Sequence, residues 1–147
     1  MADSATPAAA SQQDASHSGG TVRCRLTLPG RPDRVREARS LVAKALGDLP
    51  SRLDDAVLMT SELVTNAVLH TNSRQPDGTV MITVLESGGG VRVEVADSGS
   101  ELSAPVVRAE RFSVGGLGLF LVQNLADQWG YLRNESGTTV WFWLALA

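Results

Sequence analysis

In the stretch SELVTNAVLH, residues 61–70, Glu62, Asn66 and His70 recur at four-residue intervals within an otherwise apolar run. At about 100° per residue they fall in one arc of about 80°, beside a second arc of Leu63, Val64, Ala67 and Val68 that suits a core. A carboxylate can accept a proton or orient a nucleophile, and an amide oxygen can ligate a hard cation. Taken alone the stripe reads as the solvated side of a helix, where Glu and Asn usually stand.

Two further motifs change its meaning. In VEVADSG, residues 93–99, a valine-rich strand runs into Asp97 and then Gly99. A carboxylate at a strand end can accept a hydrogen bond from a ligand's amino group, and a glycine beside it leaves room for close approach. The plain alternative is a strand ending in a turn. In VGGLGLFLV, residues 114–122, Gly115, Gly116 and Gly118 precede an apolar helix. Backbone N–H groups at a helix start attract anions, although a glycine cluster also serves as a turn that lets a helix pack closely. The spacing is neither the dinucleotide fingerprint nor a P-loop, because no Gly-Lys-Ser/Thr follows. Together the motifs describe a purine nucleotide site: an acid for the base amine, glycines for the phosphates and Asn66 for magnesium. Glu62, one turn earlier, then stands near the terminal phosphate as a general base or as a group that positions the nucleophile.

The elements that must hold these residues follow from periodicity. Residues 1–20 are Ala, Ser, Gln and Gly with no large aliphatic side chain after Met1, which predicts a disordered tail ahead of a single domain over 21–147. His17 lies in that tail as a solvated residue. TVRCRLTLPG alternates Val22, Cys24, Leu26 and Leu28 against Arg23, Arg25 and Thr27, a half-buried strand ended by Pro-Gly. Val35, Ala38, Leu41, Val42, Ala45 and Leu46 predict a helix from about Pro32 to Leu46 with Gly47 at its C-cap. Arg31, Arg34, Arg36 and Arg39 form its outer face, which solvates the helix and could also meet an acidic partner.

Ser51, with Asp54 three residues on, is the expected N-cap of the helix that ends near His70. NSRQPDG is turn chemistry, and strands Thr79–Glu86 and Val91–Asp97 follow as a hairpin joined by SGGG. A loop over residues 98–113 leads to a helix of roughly Leu117 to Gln128. Strands at Trp129–Arg133 and Thr138–Leu146, separated by NESG, close the chain. The order predicts an α+β sandwich with helices on one face of a mostly antiparallel sheet.

Composition narrows the partners. The chain has 147 residues, is 43% hydrophobic and carries a net charge of −3 with both signs interspersed. That size suits one core, and that charge offers no reason to expect nucleic acid or an anionic membrane. Cys24 is the single cysteine, so neither an internal disulfide nor a multi-cysteine metal site forms. No apolar run approaches the roughly 20 residues of a membrane span, and no secretory signal stands at the start, so a cytoplasmic protein is expected.

In this order the motifs resemble the GHKL superfamily of ATP-binding domains, and most closely its small RsbW-type anti-sigma-factor serine kinases of the stand-alone actinobacterial kind. The similarity runs over about residues 21–146 and takes in LADQWG at 125–130. It implies the two-layer Bergerat sandwich. ELVTNAVLH would be the N box, with Asn66 linked to magnesium and Glu62 as the catalytic carboxylate, and His70 structural. DSG would be the first glycine box, with Asp97 binding adenine beside Gly99. GGLGLFLV would be the second, with Gly115, Gly116, Leu117 and Gly118 on the phosphates. In GTTVWFWL, Thr139 would support the aspartate. Glu101 stands where the family often has a further glycine.

The resemblance implies ATP and Mg2+ as cofactors, a STAS-type anti-anti-sigma protein as phosphoacceptor, a sigma factor as the sequestered partner, and a homodimer. The alternative is a non-catalytic nucleotide-binding switch that acts by sequestration alone.

Overall fold

The computed structural model describes residues 20–48, 50–70, 78–97, 116–134 and 137–146. The expected tail over its first 19 residues, the loop at 98–113, Gly99, Gly115 and most of the NSRQPDG turn lie outside the described residues.

Strand β1 (Thr21–Pro29) is followed by a 3-10 turn at Pro32–Arg34 and helix α1 (Val35–Ala45). Helix α2 (Pro50–His70), strands β2 (Thr79–Ser87) and β3 (Gly90–Asp97), helix α3 (Gly116–Leu125), and strands β4 (Gln128–Asn134) and β5 (Gly137–Ala145) complete the order. The strands form one five-stranded sheet in the order β1-β2-β3-β5-β4, and all four pairings are antiparallel.

Alternation gives the sheet two distinct sides. Leu26 and Leu28 of β1, Val80, Ile82 and Val84 of β2, Val91, Val93 and Val95 of β3, and Phe142 and Leu144 of β5 share one side through their register. With Leu26 partly buried at its margin, they form one apolar cluster with Ala38 and Val42 of α1 and with Met59, Leu63, Val64, Ala67 and Val68 of α2. The helical spacing of those positions explains why α1 and α2 lie here, since each buries a single apolar stripe. The other side is polar and aromatic, with Arg25, Thr83, Arg92, Glu94, Trp141 and Trp143.

Several expected boundaries shift for identifiable reasons. The register of β1 slips between Val22 and Cys24, so Val22 pairs with Leu85 and turns away from the helices instead of continuing the Cys24, Leu26, Leu28 row. Arg23 reaches the helix layer: its guanidinium donates to Glu86 at 2.6 Å, to the Ala45 carbonyl at 2.6 Å and to Asp48 at 3.0 Å. Helix α2 begins at Pro50, ahead of the expected Ser51 cap. Proline suits a first helical position, where its missing N–H has no partner to lose. Between β2 and β3, Gly88 and Gly89 take φ of +57° and +82°, the left-handed pair that a two-residue hairpin turn requires.

Helix α3 stops at Leu125, short of the expected Gln128. Asp127 anchors the turn that ends it. Its carboxylate accepts the Ala145 N–H at 2.7 Å and Arg52 at 3.3 Å, and its own N–H donates to the Trp143 carbonyl. These bonds pull the chain into β4 and fasten the start of α2 to the end of β5.

Candidate functional site

Helix α2 packs against α1, α3 and β3, which places its polar stripe beside the core stripe at a junction of three elements. Glu62 and Asn66 are both half-buried. They sit one turn apart, next to the fully packed Leu63, Val64, Ala67 and Val68. The Asn66 side chain is the unusual one: both its Oδ1 and its Nδ2 are shut off from solvent, and neither has a hydrogen-bond partner. Leaving such a group unsatisfied costs about 1–3 kcal/mol, a state it shares with Thr60 Oγ1 and Trp129 Nε1 among the described residues, and Asn66 alone of these lies on the polar stripe. His70 closes the helix, and its side chain lies outside the described residues.

Asp97 ends the helix-facing row of β3, continuing Val91, Val93 and Val95. Its Oδ1 accepts the Thr138 N–H at 3.3 Å. Thr138 is buried, and the β3–β5 register places it on the same side of the sheet as Asp97. Thr139, the residue expected to support the aspartate, pairs with Ala96 and faces the other way. Strict alternation counted backward from Phe142, a core residue, identifies Thr138 instead.

Gly116, Leu117 and Gly118 form the first turn of α3, so their backbone N–H groups belong to the end of a helix where anions are favoured. Gly99 and Gly115 lie outside the described residues. The structure thus brings Asp97 together with Thr138, carries Glu62 and Asn66 on the helix packed against Asp97's strand, and sets the α3 glycines on a helix packed against α2.

The donors present fit a magnesium ion held mainly by its ligand and water. Among the described residues no group of three or more His, Cys, Asp or Glu side chains converges as a metal cage. A lone amide oxygen, orphaned at Asn66, is what a magnesium that keeps its waters and phosphate oxygens needs from the protein.

A five-stranded antiparallel sheet with helices on one side, and an acid closing the helix-facing row of a central strand, defines an α+β sandwich of the Bergerat type. The chain belongs to the histidine kinase-like ATPase domain family, whose model matches residues 28–144. Serine-protein kinase RsbW of Listeria monocytogenes serotype 4a (strain HCC23) is 29% identical over 129 residues, covering 78% of this chain and 82% of that one. RsbW of Bacillus subtilis (strain 168) is 30% identical over 129 residues, covering 78% and 80%. Its branch is therefore the RsbW-like one of the GHKL superfamily. The solved structure of the RsbU and RsbW domains of Rv1364c from Mycobacterium tuberculosis shares the fold, with a TM-score of 0.60 at 23% identity. The match covers 84% of this chain and 32% of that chain.

Proposed function

We propose that the chain is a magnesium- and ATP-dependent serine/threonine protein kinase and anti-sigma factor. It phosphorylates a serine of a STAS-type anti-anti-sigma protein in the cytoplasm and sequesters a sigma factor when that partner is absent. The observation that carries this reading is the buried, unpartnered amide of Asn66 one turn from Glu62. The kinase names of the relatives support the reaction class.

Bound magnesium ATP supplies the transferable phosphoryl group. Asn66 Oδ1 would hold the ion, which would give the orphaned amide oxygen a partner. Asp97, oriented by the Thr138 N–H, would accept the exocyclic amine of adenine, and Gly99 would leave room for the ring. The backbone at Gly115, Gly116, Leu117 and Gly118 would meet the phosphates. Glu62 would take the proton of the incoming serine hydroxyl or orient that oxygen for attack.

The test is incubation with labelled ATP, magnesium and the cognate antagonist. Label on an antagonist serine is expected, and Glu62→Gln should keep nucleotide affinity while losing the label. Binding without any label would leave the non-catalytic switch as the function. Calorimetry on the wild type and Asn66→Ala addresses the metal directly, and equal affinity of both for magnesium ATP would remove Asn66 from the site.

A further inference from the structure

Asn66, Glu62 and Leu58 follow one another along α2 at four-residue intervals, and their exposure rises in that order. The Asn66 amide atoms are shut off from solvent, Glu62 is half-buried and Leu58 is 41% exposed. Four residues advance a helix by about 6 Å and carry it about 40° past a full turn, so the three side chains form one path from a closed end to an open one. Asp55, half-buried, continues the path three residues before Leu58, and Asp54 beside it is exposed. Neither of these two carboxylates belongs to an ion pair among the described residues.

The leucine stands apart from the other apolar residues of the surface. Of the exposed large hydrophobic residues among the described ones, Val22 and Leu132 lie on the two edge strands and Leu146 just past β5, whereas Leu58 alone lies on a helix. The apolar cluster under the helices does not include it. An exposed leucine by itself is ordinary. This one is a single turn from the carboxylate that would meet an incoming serine. Glu62 is bordered on one flank by the core stripe of Leu63 and Ala67, and beyond Asn66 by the proposed nucleotide. The Leu58 end of the path is the approach that these leave open.

We propose that Leu58 is the apolar anchor for the phosphoacceptor protein, with Asp54 and Asp55 receiving a basic side chain next to it. This docking rests on the role of Glu62 proposed above. An extended segment advances about 3.4 Å per residue and returns its side chains to one face at every second residue. With its serine hydroxyl at Glu62, the residue two positions away falls about 7 Å along the helix, over Leu58. A Lys or Arg three or four positions away reaches Asp55, about 10 Å from Glu62 along the axis. The substrate class is therefore a serine with an apolar neighbour at two positions and a basic one at three or four. The apolar contact excludes water and holds the segment, while the carboxylates select against an acidic partner.

The reverse side of the sheet supplies a control. There Arg92 stacks on Trp141, with its guanidinium carbon 4.1 Å from the ring centroid, and its Nε donates to Glu94 at 2.8 Å. Leu132 of edge strand β4, 47% exposed, shares that side through its pairing with Thr139, across the sheet from Glu62.

The experiment follows the cognate STAS-type antagonist with the full chain. Affinity is read by calorimetry with magnesium and a non-hydrolysable ATP analogue present, and turnover with labelled ATP. Leu58→Ala should weaken antagonist binding and raise its KM about tenfold, with affinity for the analogue unchanged, and Leu58→Met should restore both. Asp55→Asn should raise the KM severalfold at low salt, a difference that fades by about 0.5 M salt. Leu132→Ala should match the wild type. Unchanged antagonist affinity in Leu58→Ala, or an equal loss in Leu132→Ala, would overturn the proposal. So would a Leu58→Ala chain that changes from dimer to monomer in sedimentation with antagonist binding intact, because the leucine would then join two copies. Antagonist binding that depends on Leu58 but yields no label would uphold the docking and remove the kinase reading. Label that is indifferent to Leu58 would do the reverse.

Discussion

On the side of β3 that meets the helices stand Val91, Val93 and Val95, followed by Asp97; on the side facing away stand Arg92, Glu94 and Ala96. The first side is closed by aliphatic packing, which is non-directional and tolerates the smooth change from valine to an acid at its end. The second is closed by a stacked and hydrogen-bonded guanidinium, whose stability depends on individual partners. A strand can thus serve as core for most of its length and present a carboxylate at its tip, while its reverse side remains free to specify contacts.

The contrast can be broken by substitution. Phe142→Ala, at a fully buried position on the helix side, should cost about 3–5 kcal/mol, seen as a lower urea midpoint with an unchanged m-value. Arg92→Met should cost only about 1 kcal/mol, since the lost stacking and Glu94 bond are offset by removing an unpartnered Nη1. An effect as large as that of Phe142→Ala would mean that the reverse side is a second core. Asn66→Ala should move in the opposite direction, raising the Tm of the nucleotide-free protein by an increment worth up to about 1 kcal/mol. It exchanges an orphaned amide for a better helix former. Destabilisation would instead make the amide structural.

The smallest expected effect lies at the rim of the helix side. The hydrogen bond from Arg23 holds the Asp48 carboxyl below its ordinary range. A lowered folded-state value means that the contribution to stability is present above the unfolded-state value near pH 4 and disappears as pH falls through the folded one. Asp48→Asn should therefore flatten the acid limb of a Tm-against-pH curve slightly and leave neutral pH almost unchanged, because the carboxylate is largely exposed. An identical acid limb in both proteins would show that the bond does not persist in solution.

The helix layer and the strand ends were legible in the sequence because each buries one stripe at a fixed period, which put Glu62, Asn66 and Asp97 in usable positions. What escaped were features that periodicity hides. The bulge at Arg23 reverses Val22, and Asp127 ends α3 through long-range bonds to Arg52 and Ala145. Thr138 was missed for its neighbour Thr139, since two adjacent threonines differ only in parity. Buried Arg92 was invisible because a charged residue in an alternating strand reads as solvent-facing until its neighbours are known.

The pairing of β3 with β5 also bears on how the protein folds. β2 joins β3 through Gly88 and Gly89, and β4 precedes β5 closely, so each hairpin closes a short loop. Asp97 and Thr138 come from different hairpins and meet only across the seam between them, 41 positions apart along the chain. Contacts of such separation carry the larger closure entropy and slow folding. The Asp97–Thr138 end of the proposed site is therefore expected to form after the two hairpins, and nucleotide binding during refolding should lag behind the appearance of the hairpins.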